Sequence, residues 1–147
     1  MTIVGLKENS KGLRSASGKV ENNSGGGPNI TVPDVIAKKF NWGAFFLSWI
    51  WGLGNRTYIT LLIFVAGIVA AIPVIGTLIP LACSIWFGIK GNEWAWQNKE
   101  WESVERFHEI QKNWAIAGVV LAILGIIISA ATFGVAMMSL MNSTGSY

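Results

Sequence analysis

The stretch YITLLIFVAGIVAAIPVIGTLIPLACSIWFGI, Tyr58 to Ile89, decides the fold class: 32 residues without one Asp, Glu, Lys, Arg or His. A soluble core helix needs no such run, and an uncharged block of this length reads as membrane-embedded. One crossing takes about 20 residues. The run is interrupted near its middle by Pro73 and Gly76 and again by Pro80, which predicts two helices, 57–74 and 76–89, joined by a tight turn. At about 1.5 Å per residue these arms reach roughly 27 and 21 Å, short of a core of about 30 Å, so Arg56 and Lys90 would snorkel to the headgroups and the bilayer would thin locally. A single span over 58–78 with a re-entrant tail satisfies the same lengths.

Charge placement favours the hairpin. Of the 11 Lys and Arg residues, those from Lys7 to Arg56 precede the run and Lys90, Lys99, Arg106 and Lys112 follow it, whereas the turn has none. Two crossings keep both basic segments on the cytoplasmic side, and one crossing would send four cations across. The net charge of +3 is spread among acids, mostly after residue 90. That is no footprint for nucleic acid, although a modest attraction of the N-terminal side to anionic lipid fits it. Cys83 is the single cysteine and lies inside the apolar run, which excludes an internal disulfide and a multi-cysteine metal cage.

Upstream, residues 1–39 read as a flexible polar tail, with Ser15-Ala16-Ser17-Gly18 and Asn22-Asn23-Ser24-Gly25-Gly26-Gly27-Pro28 as its clearest sections. The first thirty residues hold no apolar signal-peptide core. Residues 40–147 form the helical membrane domain. It opens on an uncharged aromatic segment, 40–55, in which Trp42, Phe45, Phe46, Trp49 and Leu53 recur at helical spacing. Too short to span, this segment either lies at the headgroup boundary, where tryptophan is favoured, or packs on the other helices.

Downstream, 91–113 reads as an amphipathic cytoplasmic helix. Trp96, Trp101, Val104, Phe107, Ile110 and Trp114 fall on one face of a helical wheel, with Glu102, Glu105, Arg106 and Glu109 among the residues opposite. The apolar face needs cover, so Trp94, Trp96, Glu100, Trp101, Phe107 and His108 are the candidate interaction residues. Glu100 and His108 break the stripe. They lie about 12 Å apart along one helix and cannot bond directly, and with a single histidine a transition-metal site is poorly supported. The third membrane segment, 115–141, carries no charge, and its small residues Ala115, Gly118, Ala122, Gly125, Ser129, Thr132 and Ala136 leave a groove for another helix. Gly118, Ala122, Gly125 and Ser129 are its packing candidates, toward the chain's own hairpin or a second copy.

Two stretches, Phe40-Asn41-Trp42-Gly43-Ala44-Phe45-Phe46-Leu47-Ser48-Trp49-Ile50-Trp51-Gly52 and Gly88-Ile89-Lys90-Gly91-Asn92-Glu93-Trp94-Ala95-Trp96, resemble an uncharacterised family of small bacterial integral membrane proteins carrying a domain of unknown function. The resemblance covers 40–114. It implies a multi-pass protein of the bacterial cytoplasmic membrane and attaches no activity.

The expectation is therefore an all-α membrane protein with three transmembrane helices, a hairpin plus one long helix, whose partners are the lipid bilayer and either a protein held at the amphipathic helix or another copy. No cofactor, metal ion, nucleic acid or enzymatic role is expected, since the lone histidine has no evident nucleophile to activate. The alternative is a subunit of a small transporter or channel, in which Pro73, Gly76 and Pro80 break helices at membrane depth. Against it stands the lack of any intramembrane ionisable residue.

Overall fold

The computed structural model describes residues 21–69, 72 and 75–144, and every regular element among them is helical. Chain order is a strap over 21–33, then α1 (Asp34–Ala37), α2 (Trp42–Gly54), a 3-10 turn (Tyr58–Leu61), α3 (Leu62–Val69), α4 (Ile75–Asn98) and α5 (Val104–Thr144).

α2 organises the rest, because it lies between α4 and α5 and touches both. Asn41 starts it, its side-chain oxygen accepting the Ala44 N–H at 2.8 Å, as an N-cap should. Ser48, at φ 30° and ψ −95°, then breaks the helical path and turns the second half of α2. Its inner face, Gly43, Ala44, Leu47 and Trp51, is buried, and Trp42, Phe46, Trp49, Ile50 and Leu53 face outward. The segment packs on the other helices with one side and leaves aromatics exposed on the other.

The hairpin differs from expectation in length. Among the described residues α3 has 8 residues, about 12 Å, and the 3-10 turn before it adds about 8 Å, together well short of a core of about 30 Å. α4 runs on through Lys90 and Gly91 to Asn98, so its apolar part is only the first two-thirds of a helix that ends among charged residues. Gly91 does not end the helix; it permits close approach, since a Cβ there would sit 2.8 Å from the Ala44 Cβ. Pro80 is likewise carried inside α4, where near the N-terminal end it forfeits one hydrogen bond. Among the described residues one helix, α5, is long and apolar enough to cross a membrane, which corrects the expectation of three.

The amphipathic helix 91–113 is corrected too. Its first part is the end of α4, and its second part is the start of α5, with a turn over 99–103 between them. The break is set by Ser103, whose hydroxyl accepts the Arg106 N–H at 3.1 Å and caps α5, and by Ser24, whose hydroxyl accepts the Trp101 N–H at 2.8 Å. α5 then continues for 41 residues, about 61 Å, with no boundary at 113–115.

Within the flexible tail expected over 1–39, residues 1–20 lie outside the described part, but 21–33 are bound. The Gly25 N–H donates to the Trp96 carbonyl at 2.8 Å and the Gly27 N–H to the Gln97 carbonyl at 2.9 Å, capping orphan carbonyls at the end of α4. Gly25 and Gly27 take φ of 76° and 83°, which only glycine adopts freely, so the Gly-rich run serves as a shaped cap. Asp34 in α1 pairs with Lys38 at 2.7 Å on the surface, while Ile36 is fully buried.

The core is an aromatic head made of Ile36, Leu47, Trp51, Phe87, Trp96, Trp101 and Phe107. Phe107 meets Trp96 and Trp101 edge-on, with centroids at 5.4 and 5.0 Å. Each buried indole N–H finds an acceptor: Trp51 on Gln111 Oε1 at 2.8 Å, Trp96 on Asn23 Oδ1 at 2.9 Å and Trp101 on the Ala95 carbonyl at 2.9 Å. Beyond Gly118 the chain leaves this head. From Val119 to Thr144 every residue except the half-buried Ala122 is exposed.

Candidate functional site

The head contains a buried polar network built from neutral amides. Asn41 Nδ2 donates to Asn92 Oδ1 at 2.7 Å and to Gln111 Oε1 at 3.0 Å. Gln111 Nε2 donates to Asn55 Oδ1 at 2.7 Å, and Asn55 Nδ2 closes on the Trp51 carbonyl at 2.8 Å. Asn92 Nδ2 donates to the Lys39 carbonyl at 2.8 Å, and the Asn41 N–H to the Gly88 carbonyl at 2.7 Å. One amide from each end of α2, one from α4 and one from α5 thus fix three helices to one another. No buried side-chain polar atom among the described residues lacks a partner. The network holds no ionisable group, so it sets geometry and relays no proton.

Beside it opens a cleft of about 240 Å³, lined by Lys39, Phe40, Asn41, Trp42, Asn92, His108, Gln111, Lys112 and Ala115. Three of these side chains are basic and none is acidic. Burial, with Lys39 nearby, holds the His108 imidazole below the usual histidine range, Glu105 opposing. A second hollow, about 450 Å³ and almost wholly apolar, is lined by Trp42, Phe46, Ala115, Ile116, Val119 and Val120. Trp42 and Ala115 line both.

No family model, curated protein or solved structure matches this chain. Its two aromatic stretches, 40–52 and 88–96, nonetheless meet in space: Asn41 bonds Gly88 and Asn92, and Gly91 abuts Ala44.

The residues expected to dock a partner fare unequally. Trp96 and Phe107 are fully buried and Trp101 is 6% exposed, so their face is covered by the chain's own strap and helices. The helical wheel placed them on one outward stripe, and the 99–103 turn folds that stripe inward. Trp94 is half-buried against Trp86, with centroids at 5.2 Å, and Glu100 is exposed in the turn, away from any stripe. His108 lines the cleft. Of the packing candidates, Gly118 receives Phe46 of α2, where a Cβ would come within 2.9 Å, instead of the hairpin. Ala122 is half-buried, whereas Gly125 has open space around it and Ser129 is exposed. Among the described residues no three His, Cys, Asp or Glu side chains come together as metal ligands.

Sequence reasoning missed Asn41, Asn55, Asn92 and Gln111. The available signal was their chemistry: neutral amides set in aromatic, glycine-bearing segments, where polarity that is not for solvent must be for a partner.

Proposed function

We propose that the chain is a small, non-enzymatic integral membrane protein. The distal part of α5 crosses the bilayer, and the aromatic head rests at the surface as a platform that anchors or modulates a partner. The observation that carries this is the exposure of α5. Only 6% of its most apolar 18-residue window is buried, whereas the core helix of a soluble protein would be mostly covered. From Val119 to Thr144 the helix extends about 39 Å, enough for a core of about 30 Å. α3 and the first turns of α4 add apolar surface at Phe64, Val65, Ile68, Leu78 and Leu81, which lipid at the interface would cover.

The platform differs from the amphipathic stripe first expected, because Trp96, Trp101 and Phe107 are spent on the core. What the head leaves outward is the aromatic face of α2, at Trp42, Phe46 and Trp49, with tryptophan suited to headgroup depth. The test is co-flotation of the full chain with liposomes after alkaline washing. The wild-type chain floats, and Leu124→Lys with Ile127→Lys, at about 2.5–3.5 kcal/mol of insertion cost each, stays at the bottom. A wild-type chain that washes off, or that remains monodisperse without detergent, refutes the reading.

A further inference from the structure

Lys112 is the last charged residue of α5, and the apolar segment begins three residues later. The basic cleft therefore sits where headgroups lie if the distal helix crosses the bilayer, and the apolar hollow runs from it along Ile116, Val119 and Val120, toward the acyl region. We propose that cleft and hollow together hold one anionic membrane lipid, its phosphate between Lys39, His108 and Lys112 and one acyl chain against Phe46, Ile116, Val119 and Val120.

Three features of the site select this occupant. The first is charge complementarity. Lys39 and Lys112 line the cleft with His108, no carboxylate lines it, and neither lysine takes part in the ion pairs of the described residues, which join Lys38 to Asp34, Lys90 to Glu93 and Arg106 to Glu109. The second is continuity. Trp42 and Ala115 border both spaces, so one molecule with a polar end and an apolar end fills them without a gap. The third is rigidity. Lys39 is tied through its carbonyl to Asn92, and Gln111, one residue before Lys112, is held by Asn41, Trp51 and Asn55. The amide network thus presents the two backbone positions that carry the lysines, at little ordering cost on binding. A free phosphate would satisfy the cations and leave the hollow unused. A zwitterionic lipid would fill the hollow and bring its own cation beside two lysines.

The site rests on the membrane reading, and its test separates the two. His108 is the single histidine, so histidine-labelled full-length protein in a neutral detergent gives one imidazole resonance as the reporter. Short-chain phosphatidylglycerol is titrated against phosphatidylcholine of equal chain length and against inorganic phosphate. The expected result is a saturable shift at the lowest concentration with phosphatidylglycerol. Lys39→Gln and Lys112→Gln each weaken it about fivefold and together roughly twenty-five-fold, while Lys90→Gln, the same single charge change as either one but outside the cleft, leaves it in place. Val119→Trp, which fills the hollow, raises the lipid concentration needed and leaves the phosphate titration unchanged. An unchanged thermal transition shows that each variant is folded. Equal response to phosphatidylcholine, saturation by phosphate at the same concentration as lipid, or indifference to the double lysine variant overturns the lipid site. If that happens with a chain that still floats with liposomes, the anchor stands and only the lipid site falls.

Discussion

At the residue scale, Gln111 shows why polarity inside an apolar protein is costly to disturb. Its side chain accepts from Trp51 and Asn41 and donates to Asn55, so Gln111→Leu strands an indole N–H and an amide oxygen, and takes one of two acceptors from Asn41. With each stranded buried group costing about 1–3 kcal/mol, the variant is expected to lose about 3 kcal/mol or more of a total of about 5–15. Thermal unfolding in mild detergent measures it, and a transition within a degree or two of wild type would deny the network a structural role. His108 gives a pH-dependent counterpart. Its imidazole is held below its unfolded value of about 6.5 by burial first and by Lys39 second, so the unfolded chain binds the proton more readily. This contribution is full above about pH 6.5 and is lost as pH falls from there toward the lowered folded value. In His108→Gln the loss is absent, and the difference between the two stability profiles isolates it.

At the scale of elements, the ends of helices decided what their middles did not. α2 ends at Gly54 with Asn55 as its C-cap, after which Arg56 adopts φ 54°, a left-handed conformation that suits glycine. Arg56 is exposed, so Arg56→Gly is expected to raise stability by about 0.5–1 kcal/mol, read as a higher midpoint of thermal unfolding. A fall would mean that the arginine side chain has a role its backbone does not show. The α4 to α5 turn follows the same logic. Periodicity continued smoothly from Trp96 through Trp101 to Phe107, but Ser103 is an N-cap residue in the right place, and with Ser24 bonded to Trp101 it outweighs the pattern. That signal was present in the sequence as Ser103 ahead of Val104. The bond from the Trp101 N–H to Ser24, 77 positions earlier, was not.

At the scale of the whole molecule, the strap is the part that closes the head. Asn23 accepts the Trp96 N–H, Ser24 accepts from the Trp101 backbone, and together they seal the aromatic cluster. Asn23→Ala with Ser24→Ala is therefore expected to destabilise by about 2 kcal/mol and to make tryptophan fluorescence more sensitive to a water-soluble quencher. Unchanged quenching would show that the helices seal the cluster unaided. The same closure explains why Trp96, Trp101 and Phe107 lie buried: a face that needs cover takes the nearest cover, which here is the chain itself.

From composition and periodicity alone, the helical class, the uncharged run and the long apolar end of α5 were legible, because those properties are sums over neighbouring residues and do not depend on where the chain goes. Which polar residues turn inward, how the run at 58–89 divides, and whether a stripe of tryptophans faces out or in were settled by tertiary structure. Those outcomes depend on hydrogen bonds and close approaches between residues far apart in sequence, such as Asn41 with Gln111 and Gly91 with Ala44, and no local pattern encodes a partner fifty or seventy positions away.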